Sequence, residues 1–262
     1  MSTKPLPFAI EVPNARVAVL IVHGIFGNPH HFDILLPYIP ADWSVYSILL
    51  DGHGGTLRDF ERTDREKWET QVECEVARVC KQFDRVVIVA HSMGCMLTAN
   101  AIVKQGLEHK IAAMLFLGAA LYPKCDPPIV QTSFNMVFGD PARDNPRTAA
   151  ARLRCGVTVH KRVWEYLACI PRFLDLFAIA RYTRIRIAEY DLPMIALQSR
   201  KDEVVRPRSI KPFLKNPHAR GEFLMQSSHF YYPPEDTQRI CAVFSDIVAE
   251  VCKNLQKVSL AD

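Results

Sequence analysis

A serine between small residues stands where a strongly apolar run changes into a helical pattern. The run RVVIVA, residues 85–90, predicts a buried strand, and AHSMG, residues 90–94, carries the chain into the next helix. A turn this tight between strand and helix needs small residues on both sides of the serine, and it exposes the serine hydroxyl. We therefore predict Ser92 to be a nucleophile. The alternative is an ordinary turn in which Ser92 caps the helix.

An acid and a base follow two later strands. QSRKDEVV, residues 198–205, follows the fifth predicted parallel strand, and SSHF, residues 227–230, follows the sixth. Of nine histidines, His229 is the one just past a strand end and downstream of both Ser92 and Asp202. We expect His229 to take the serine proton and Asp202 to orient the imidazole. Glu203 is the competing acid, and a solvated charged loop is the alternative for this segment.

A glycine-rich turn, HGIFG at residues 23–27, follows the first strong strand. Such a turn can aim a backbone N–H at the oxygen of a bound carbonyl, so we expect the N–H groups of Ile25 and Met93 to form an oxyanion hole. An ordinary glycine turn is the alternative. His23 and His53 are predicted to be packed, structural histidines.

Short apolar runs alternate with helical patterns, which indicates a mostly parallel central sheet with helices on both faces. Ser92, Asp202 and His229 all lie beyond the carboxyl ends of predicted strands, where open α/β sheets place their sites. The predicted parallel strands are 16–22, 43–50, 85–90, 111–119, 194–198 and 222–225, with an antiparallel strand at 8–12 and helices at 64–83, 93–105 and 237–258.

The interval from residue 124 to 192 has no convincing strand. It contains proline-rich turns and two helical patterns, at 148–170 and 172–188, and we interpret it as a helical cap inserted into a core of residues 1–123 and 193–262. A helix pair at the sheet edge is the alternative. Five apolar residues predict either an acyl pocket or the cap's own core: Trp164, Leu167, Phe173, Phe177 and Ile179.

The cap interval is basic. It holds 11 Lys and Arg against 7 Asp and Glu, so it accounts for the whole net charge of +4 and leaves the other residues balanced at 21 against 21. One interpretation is a surface that steers anionic substrates or makes weak contact with an anionic lipid surface. The other is a solvated helix face.

The composition excludes several classes of protein. With 49% hydrophobic and 23% charged residues over 262 positions, the chain is typical of globular proteins. No apolar run reaches the roughly 18 residues of a membrane span, and residues 1–14 lack a signal-peptide core, so we expect a cytoplasmic protein. The eight scattered cysteines are predicted to be free thiols without a zinc site. The small net charge gives no reason to expect nucleic acid.

The motifs HGIFGN, DGHG, AHSMG, QSRKDEVV and SSHF together resemble the small carboxylesterases and monoacylglycerol lipases of the α/β-hydrolase superfamily, including the serine aminopeptidase-like relatives. The likeness spans residues 16 to 250, and it departs from the family pattern at Ala90, where glycine is usual. The resemblance implies hydrolysis of a small carboxylic ester without cofactor or metal. Thioesterases, amidases or aminopeptidases, acyltransferases and carbon–carbon bond hydrolases use the same triad, and a non-catalytic binding module is the alternative outside enzymes.

Overall fold

Seven strands form one sheet in the order β1-β3-β2-β4-β5-β6-β7. The computed structural model describes residues 4–259. Strand β1 pairs antiparallel with β3 and every other pair is parallel, as the sequence predicts. The strands are β1 Phe8–Ile10, β2 Val17–Val22, β3 Ser44–Ile48, β4 Arg85–His91, β5 Ile111–Leu117, β6 Met194–Ser199 and β7 Ala219–Leu224.

Alternate residues of the central strands enter two separate apolar cores. In β2, Leu20 packs with helix-facing residues such as Trp68, whereas Ile21 packs on the opposite face with Phe244. Both cores are closed to water, so helices must cover both faces of the sheet. The α helices are α1 Leu57–Glu61, α2 Arg65–Gln82, α3 Met93–Gln105, α4 Pro127–Phe138, α5 Pro146–Arg154, α6 Ile170–Arg184, α7 Lys211–Leu214 and α8 Pro234–Ser259.

The predicted strands and flanking helices are confirmed with small shifts at their ends. Helix α3 has the predicted bounds and stops at Gly106, which adopts the left-handed conformation (φ 65°) that glycine tolerates best. Strand β7 begins at Ala219 rather than Glu222. Arg220 and Glu222 are charged, as the exposed position of an edge strand allows, so no apolar run marks where β7 begins.

The helices predicted between β5 and β6 are partly wrong. Helix α4 occupies a region read from the sequence as turns, because Pro127 begins that helix rather than interrupting it. Proline suits the first helical position, where its missing N–H leaves no hydrogen bond unmade. The same holds for α5, which begins at Pro146 and is capped by Asn145.

The predicted helix 148–170 is also wrong, because α5 ends at Arg154 and an extended segment follows. In that segment the Gly156 N–H donates to the Phe26 carbonyl (2.7 Å), and the Gly156 carbonyl accepts from the Gly54 N–H (2.5 Å). These hydrogen bonds to loops of the sheet replace the ones a continuing helix would make. Helix α6 then runs over Ile170–Arg184, and 3-10 turns join it to its neighbours at Val163–Cys169 and Ile187–Glu189.

Candidate active site

Ser92 occupies a strained turn between β4 and α3. Its backbone is at φ 53° and ψ −115°, a conformation that L-residues rarely adopt. Two glycines make the turn possible. A side chain on Gly94 would approach the carbonyl oxygens of Val22 (2.5 Å) and His23 (2.6 Å), and one on Gly24 would approach the Ser92 Cβ (2.6 Å). The small residues of AHSMG therefore let helix α3 pack against the end of β2.

The three side chains chosen from the sequence lie within hydrogen-bonding distance of one another. His229 Nδ1 is 2.9 Å from Asp202 Oδ2, and His229 Nε2 is 3.1 Å from Ser92 Oγ. The carboxylate can only accept, so Nδ1 carries a proton, and in the neutral imidazole Nε2 then accepts from the serine hydroxyl. All three residues are buried, with at most 3% of their surface exposed.

Asp202 is the acid that meets the imidazole, and Glu203 meets the backbone of the same residue. The second oxygen of Asp202 accepts the N–H groups of Val204 (2.8 Å) and Val205 (2.7 Å), which fixes the carboxylate. Glu203 Oε2 accepts the His229 N–H at 3.1 Å. Asp202 therefore contacts the ring of His229 and Glu203 contacts its backbone.

The electrostatic surroundings favour a proton on His229. Burial lowers the pKa of the imidazole, but the adjacent Asp202 and Glu203 carboxylates outweigh burial and raise this pKa above its usual value of 6.5. Burial in turn raises the pKa of Glu203. A developing imidazolium at His229 is therefore stabilised by two neighbouring carboxylates.

The loop that carries His229 is anchored at both ends. Asp236, at the start of α8, accepts the N–H groups of Gln226 (2.8 Å) and Ser227 (2.7 Å) and the Ser227 hydroxyl (2.7 Å). On the other side, His91 Nε2 donates to the His229 carbonyl (3.1 Å), and Arg154 donates to the Phe230 carbonyl (2.6 Å). The imidazole is therefore held in place through its backbone.

The glycine-rich turn after β2 lies against the nucleophile. Its Phe26 N–H donates to His53 Nε2 (3.1 Å), and its Gly27 N–H donates to the Gly24 carbonyl (2.9 Å). Ile25 lies between Gly24 and Phe26, which both make these hydrogen bonds. Met93 begins α3 directly after Ser92. The two residues predicted to supply oxyanion donors thus lie on the two segments that meet at the serine.

His23 and His53 have the packed, structural positions predicted for them. His23 Nδ1 donates to the Gly24 carbonyl (2.8 Å) and its Nε2 accepts the Leu50 N–H (3.0 Å). Burial lowers the pKa of His53 to about 4, so this imidazole is neutral and can accept the Phe26 N–H. Sequence reasoning missed what His53 does: it fixes the turn beside the nucleophile, a contact across 27 residues that no local pattern reveals.

Within residues 4–259, no cluster of three or more His, Cys, Asp or Glu side chains is arranged to hold a metal ion. Cys95, one turn after the nucleophile, is fully buried and its thiol donates to the Ala90 carbonyl (3.2 Å). Burial raises the pKa of this thiol well above its usual value, which makes it a poor nucleophile. The Ser92 hydroxyl, by contrast, lies 3.1 Å from His229 Nε2.

A family model described as the alpha/beta hydrolase family matches residues 19–243, which is most of the chain. The chain belongs to this family. Alpha/beta hydrolases place the nucleophile on a sharp turn between a strand and a helix, followed in the chain by an acid and then a histidine. Ser92, Asp202 and His229 have this order and this arrangement.

Curated relatives match over part of their length. A thermostable monoacylglycerol lipase of Bacillus sp. (strain H-257) is 36% identical over 93 residues, which is 35% of this chain and 36% of the lipase. A pimeloyl-[acyl-carrier protein] methyl ester esterase of Neisseria meningitidis serogroup B / serotype 15 (strain H44/76) is 44% identical over 53 residues, 20% of each protein. The chain thus spans about a third or less of the length of these relatives.

A solved structure from work on two metagenome-derived lipolytic enzymes, LipS and LipT, has the same fold throughout. It superposes with a TM-score of 0.70 at 20% identity and covers 94% of this chain and 98% of its own. At that identity the likeness concerns the fold alone. The alpha/beta hydrolase architecture of this chain is therefore shown by sequence and structure together.

Proposed function

We propose that this alpha/beta hydrolase is a serine hydrolase that cleaves carboxylic acid esters. The observation that carries the proposal is the hydrogen-bonded line from Asp202 through His229 to Ser92, with distances of 2.9 and 3.1 Å. This arrangement can move the serine proton to the imidazole while Ser92 Oγ forms a bond to a carbonyl carbon. The strained backbone at Ser92 favours the same role, because it holds the hydroxyl out of the helix.

The reaction has two stages. Ser92 Oγ attacks the ester carbonyl as His229 Nε2 takes its proton, and the tetrahedral intermediate collapses when His229 returns that proton to the departing alcohol. Water, deprotonated by His229, then attacks the acyl-enzyme, and His229 returns that proton to Ser92 Oγ as the carboxylic acid is released. Asp202 keeps the imidazole in the tautomer that accepts the serine proton.

The N–H groups of Ile25 and Met93 are the oxyanion donors in this proposal. Support comes from the position of their segments on either side of Ser92, and from His53, which fixes the turn through Phe26. Each such donor typically contributes about 3–4 kcal/mol to stabilising the transition state.

Residues 124–192 act as a cap over the site in this proposal, with 1–123 and 193–262 as the core. Contacts with all three site loops support it. The Lys124 N–H donates to the Val204 carbonyl (2.7 Å), Arg154 donates to the Phe230 carbonyl (2.6 Å), and Gly156 donates to the Phe26 carbonyl (2.7 Å). Ser92 is only 1% exposed, and in this proposal movement of the cap opens the site to substrate.

Esters are favoured over thioesters and amides because both curated relatives are described as cleaving esters, one as a monoacylglycerol lipase and one as a methyl ester esterase. An acyltransferase would instead pass the acyl group to an alcohol or amine. The two are separated by measuring free carboxylic acid, which a hydrolase releases in equal amount to the alcohol.

Turnover of short-chain p-nitrophenyl esters tests the proposal. We expect Ser92→Ala to reduce kcat by about 10⁴- to 10⁶-fold, because the acyl-enzyme cannot form. Ser245→Ala is the matched control, since its hydroxyl lies on α8 and donates to the Cys241 carbonyl (3.0 Å), and it should retain wild-type turnover. Wild-type activity in a folded Ser92→Ala variant would contradict the proposal.

A further inference from the structure

The outer surface of residues 161–185, which the structure describes completely, is apolar and basic. Thirteen of these residues are exposed, and none of the thirteen is acidic. Three are basic and ten are apolar or aromatic. The basic residues are Lys161, Arg162 and Arg181. We call this the 161–185 surface.

Helix α6 is apolar on both sides. Leu176, Ile179 and Ala180 are buried on its inner side. On its outer side, 61% of Leu174 and 49% of Phe177 are exposed. An apolar helix face is normally covered by other parts of the protein, yet the outer face of α6 is not. Just before it, Trp164 is 64% and Leu167 66% exposed.

The exposed large apolar side chains of the protein are concentrated in residues 161–185. Eight of the 17 exposed large apolar side chains in residues 4–257 fall within these 25 positions. Scattered exposed apolar residues need no explanation, but a contiguous group marks a surface that meets something apolar. The sequence-based prediction of a pocket or cap core is wrong for Trp164, Leu167 and Phe177, which face outward, and Ile179 alone is fully buried.

The charges indicate what that partner is. Both acidic residues of the segment are half-buried and paired: Glu165 with His160 (3.0 Å) and Arg162 (3.4 Å), and Asp175 with Arg172 (2.9 Å). The exposed charges are therefore all positive. A second copy docked face to face would bring two basic surfaces together with no exposed acidic residue of the segment to pair with them, which disfavours that occupant.

We propose that the 161–185 surface docks onto an anionic lipid surface, with Trp164, Leu167, Leu174 and Phe177 entering the headgroup boundary and Lys161, Arg162 and Arg181 meeting the lipid phosphates. Helices that lie in the plane of a membrane combine these two residue classes. None of the helices in residues 4–259 has the length and apolar character to cross a bilayer. The contact is therefore peripheral.

The docking face is coupled to the site by position. Phe173, on the inner side of α6, packs against Phe26 of the glycine-rich turn with ring centroids 5.6 Å apart. Arg172 donates to the carbonyls of Glu61 (2.6 Å) and Thr63. Movement of α6 at a lipid surface would therefore displace the glycine-rich turn beside Ser92. The docking itself goes beyond the proposed function and does not depend on it.

Sedimentation with vesicles tests the docking, using the Ser92→Ala protein so that catalysis plays no part. We expect binding to phosphatidylcholine vesicles that contain phosphatidylglycerol, little binding to phosphatidylcholine alone, and release as salt is raised. Leu174→Ser together with Phe177→Ser should weaken binding at least about tenfold, since both side chains enter the lipid. Lys161→Glu with Arg181→Glu should weaken it on anionic vesicles specifically.

Leu214→Ser is the matched control, because Leu214 is 57% exposed but lies on α7 outside the 161–185 surface. It should bind like the parent protein. The proposal is overturned if the parent protein sediments equally with both vesicle types, or if the Leu174/Phe177 variant binds as well as the Leu214 control. A dimer in solution that the Leu174/Phe177 variant dissociates would overturn it too, because a second copy would then cover this surface.

Discussion

Asp202 and Glu203 are adjacent in sequence and both hold His229, but through different atoms. Asp202 accepts the ring N–H at 2.9 Å, and Glu203 accepts the backbone N–H at 3.1 Å. Three further ionisable groups lie close by: Arg154, His31 and His91. Burial lowers the pKa of both histidines well below the usual 6.5. The negative charge next to the His229 ring therefore comes from the carboxylates of Asp202 and Glu203.

Glu203→Gln separates the charge of this residue from its hydrogen bond, because the glutamine oxygen can still accept the His229 N–H. Removing the carboxylate destabilises the imidazolium and lowers the pKa of His229. Since His229 must be neutral to accept the serine proton, the acidic limb of kcat/KM should move to lower pH, by roughly one unit. The pH–rate profile of ester hydrolysis measures it.

Glu222→Gln is the control for that experiment, since Glu222 pairs with Arg239 at the exposed edge of the sheet (2.6 Å). Its profile should match the wild type. An acidic limb that Glu203→Gln leaves in place would show that the carboxylate acts as a hydrogen-bond acceptor only.

At the scale of elements, the extended segment after α5 ties residues 124–192 to the glycine-rich turn. A side chain at Gly156 would overlap the Gly27 carbonyl oxygen. Asn28 adds a second tie, as its side-chain amide donates to the Leu153 carbonyl (2.9 Å) while its oxygen accepts the His30 N–H (2.9 Å). The turn beside Ser92 is thus positioned partly by a segment 125 or more residues away in the chain.

Gly156→Ala should therefore reduce both stability and activity, because the methyl group forces the segment away from residues 26 and 27. We expect kcat/KM per folded molecule to fall by about tenfold or more, as small displacements near the site often do. Esterase assays on protein checked by circular dichroism measure the effect.

Gly106→Ala provides the comparison. Gly106 has a positive φ (65°) but nothing within 4 Å of its missing side chain, so alanine costs about 1–2 kcal/mol of backbone strain without a clash. Its melting temperature should drop while its activity per folded molecule stays normal. Equal activity in the two folded variants would argue against positioning of the turn by Gly156.

Local sequence patterns predict much of this structure but not all of it. Apolar runs predict the buried strands, and the pattern after β4 predicts helix α3. Because the carboxyl ends of parallel strands lie at one edge of the sheet, they also predict that Ser92, Asp202 and His229 lie close together. The turn predicted at residues 126–128 is wrong, because Pro127 there begins helix α4 and proline suits a helix start as well as a turn. The break after Arg154 depends on hydrogen bonds to residues 26, 54 and 55, and such long-range contacts leave no periodic signal.

Among residues 4–257, four imidazoles are buried without an acidic partner. Burial lowers the pKa of His23, His31 and His91 well below 6.5, and that of His53 to about 4. Each is uncharged in the fold but takes up a proton on unfolding below pH 6.5. Their contribution to stability is present at neutral pH and is lost as the pH falls from 6.5 towards 4.

We therefore expect the free energy of unfolding to decline steeply with acid, each histidine adding up to about 1.4 kcal/mol per pH unit. His229 acts in the opposite sense, since its raised pKa stabilises the fold most fully below 6.5. Urea unfolding over this pH range measures the slope. His91→Gln should make the slope shallower, whereas the same change at exposed His109 should not. A flat profile between pH 6.5 and 4 would contradict the expectation.

The most direct test of the central claim is covalent labelling of the nucleophile. A fluorophosphonate reacts with a serine only where a base removes its proton and donors stabilise the oxyanion. We predict that intact-mass and peptide analysis will find one adduct, on Ser92, which is absent from Ser92→Ala and forms far more slowly in His229→Ala. An unlabelled wild-type protein, or an adduct that persists in Ser92→Ala, would contradict the assignment of Ser92 as the nucleophile.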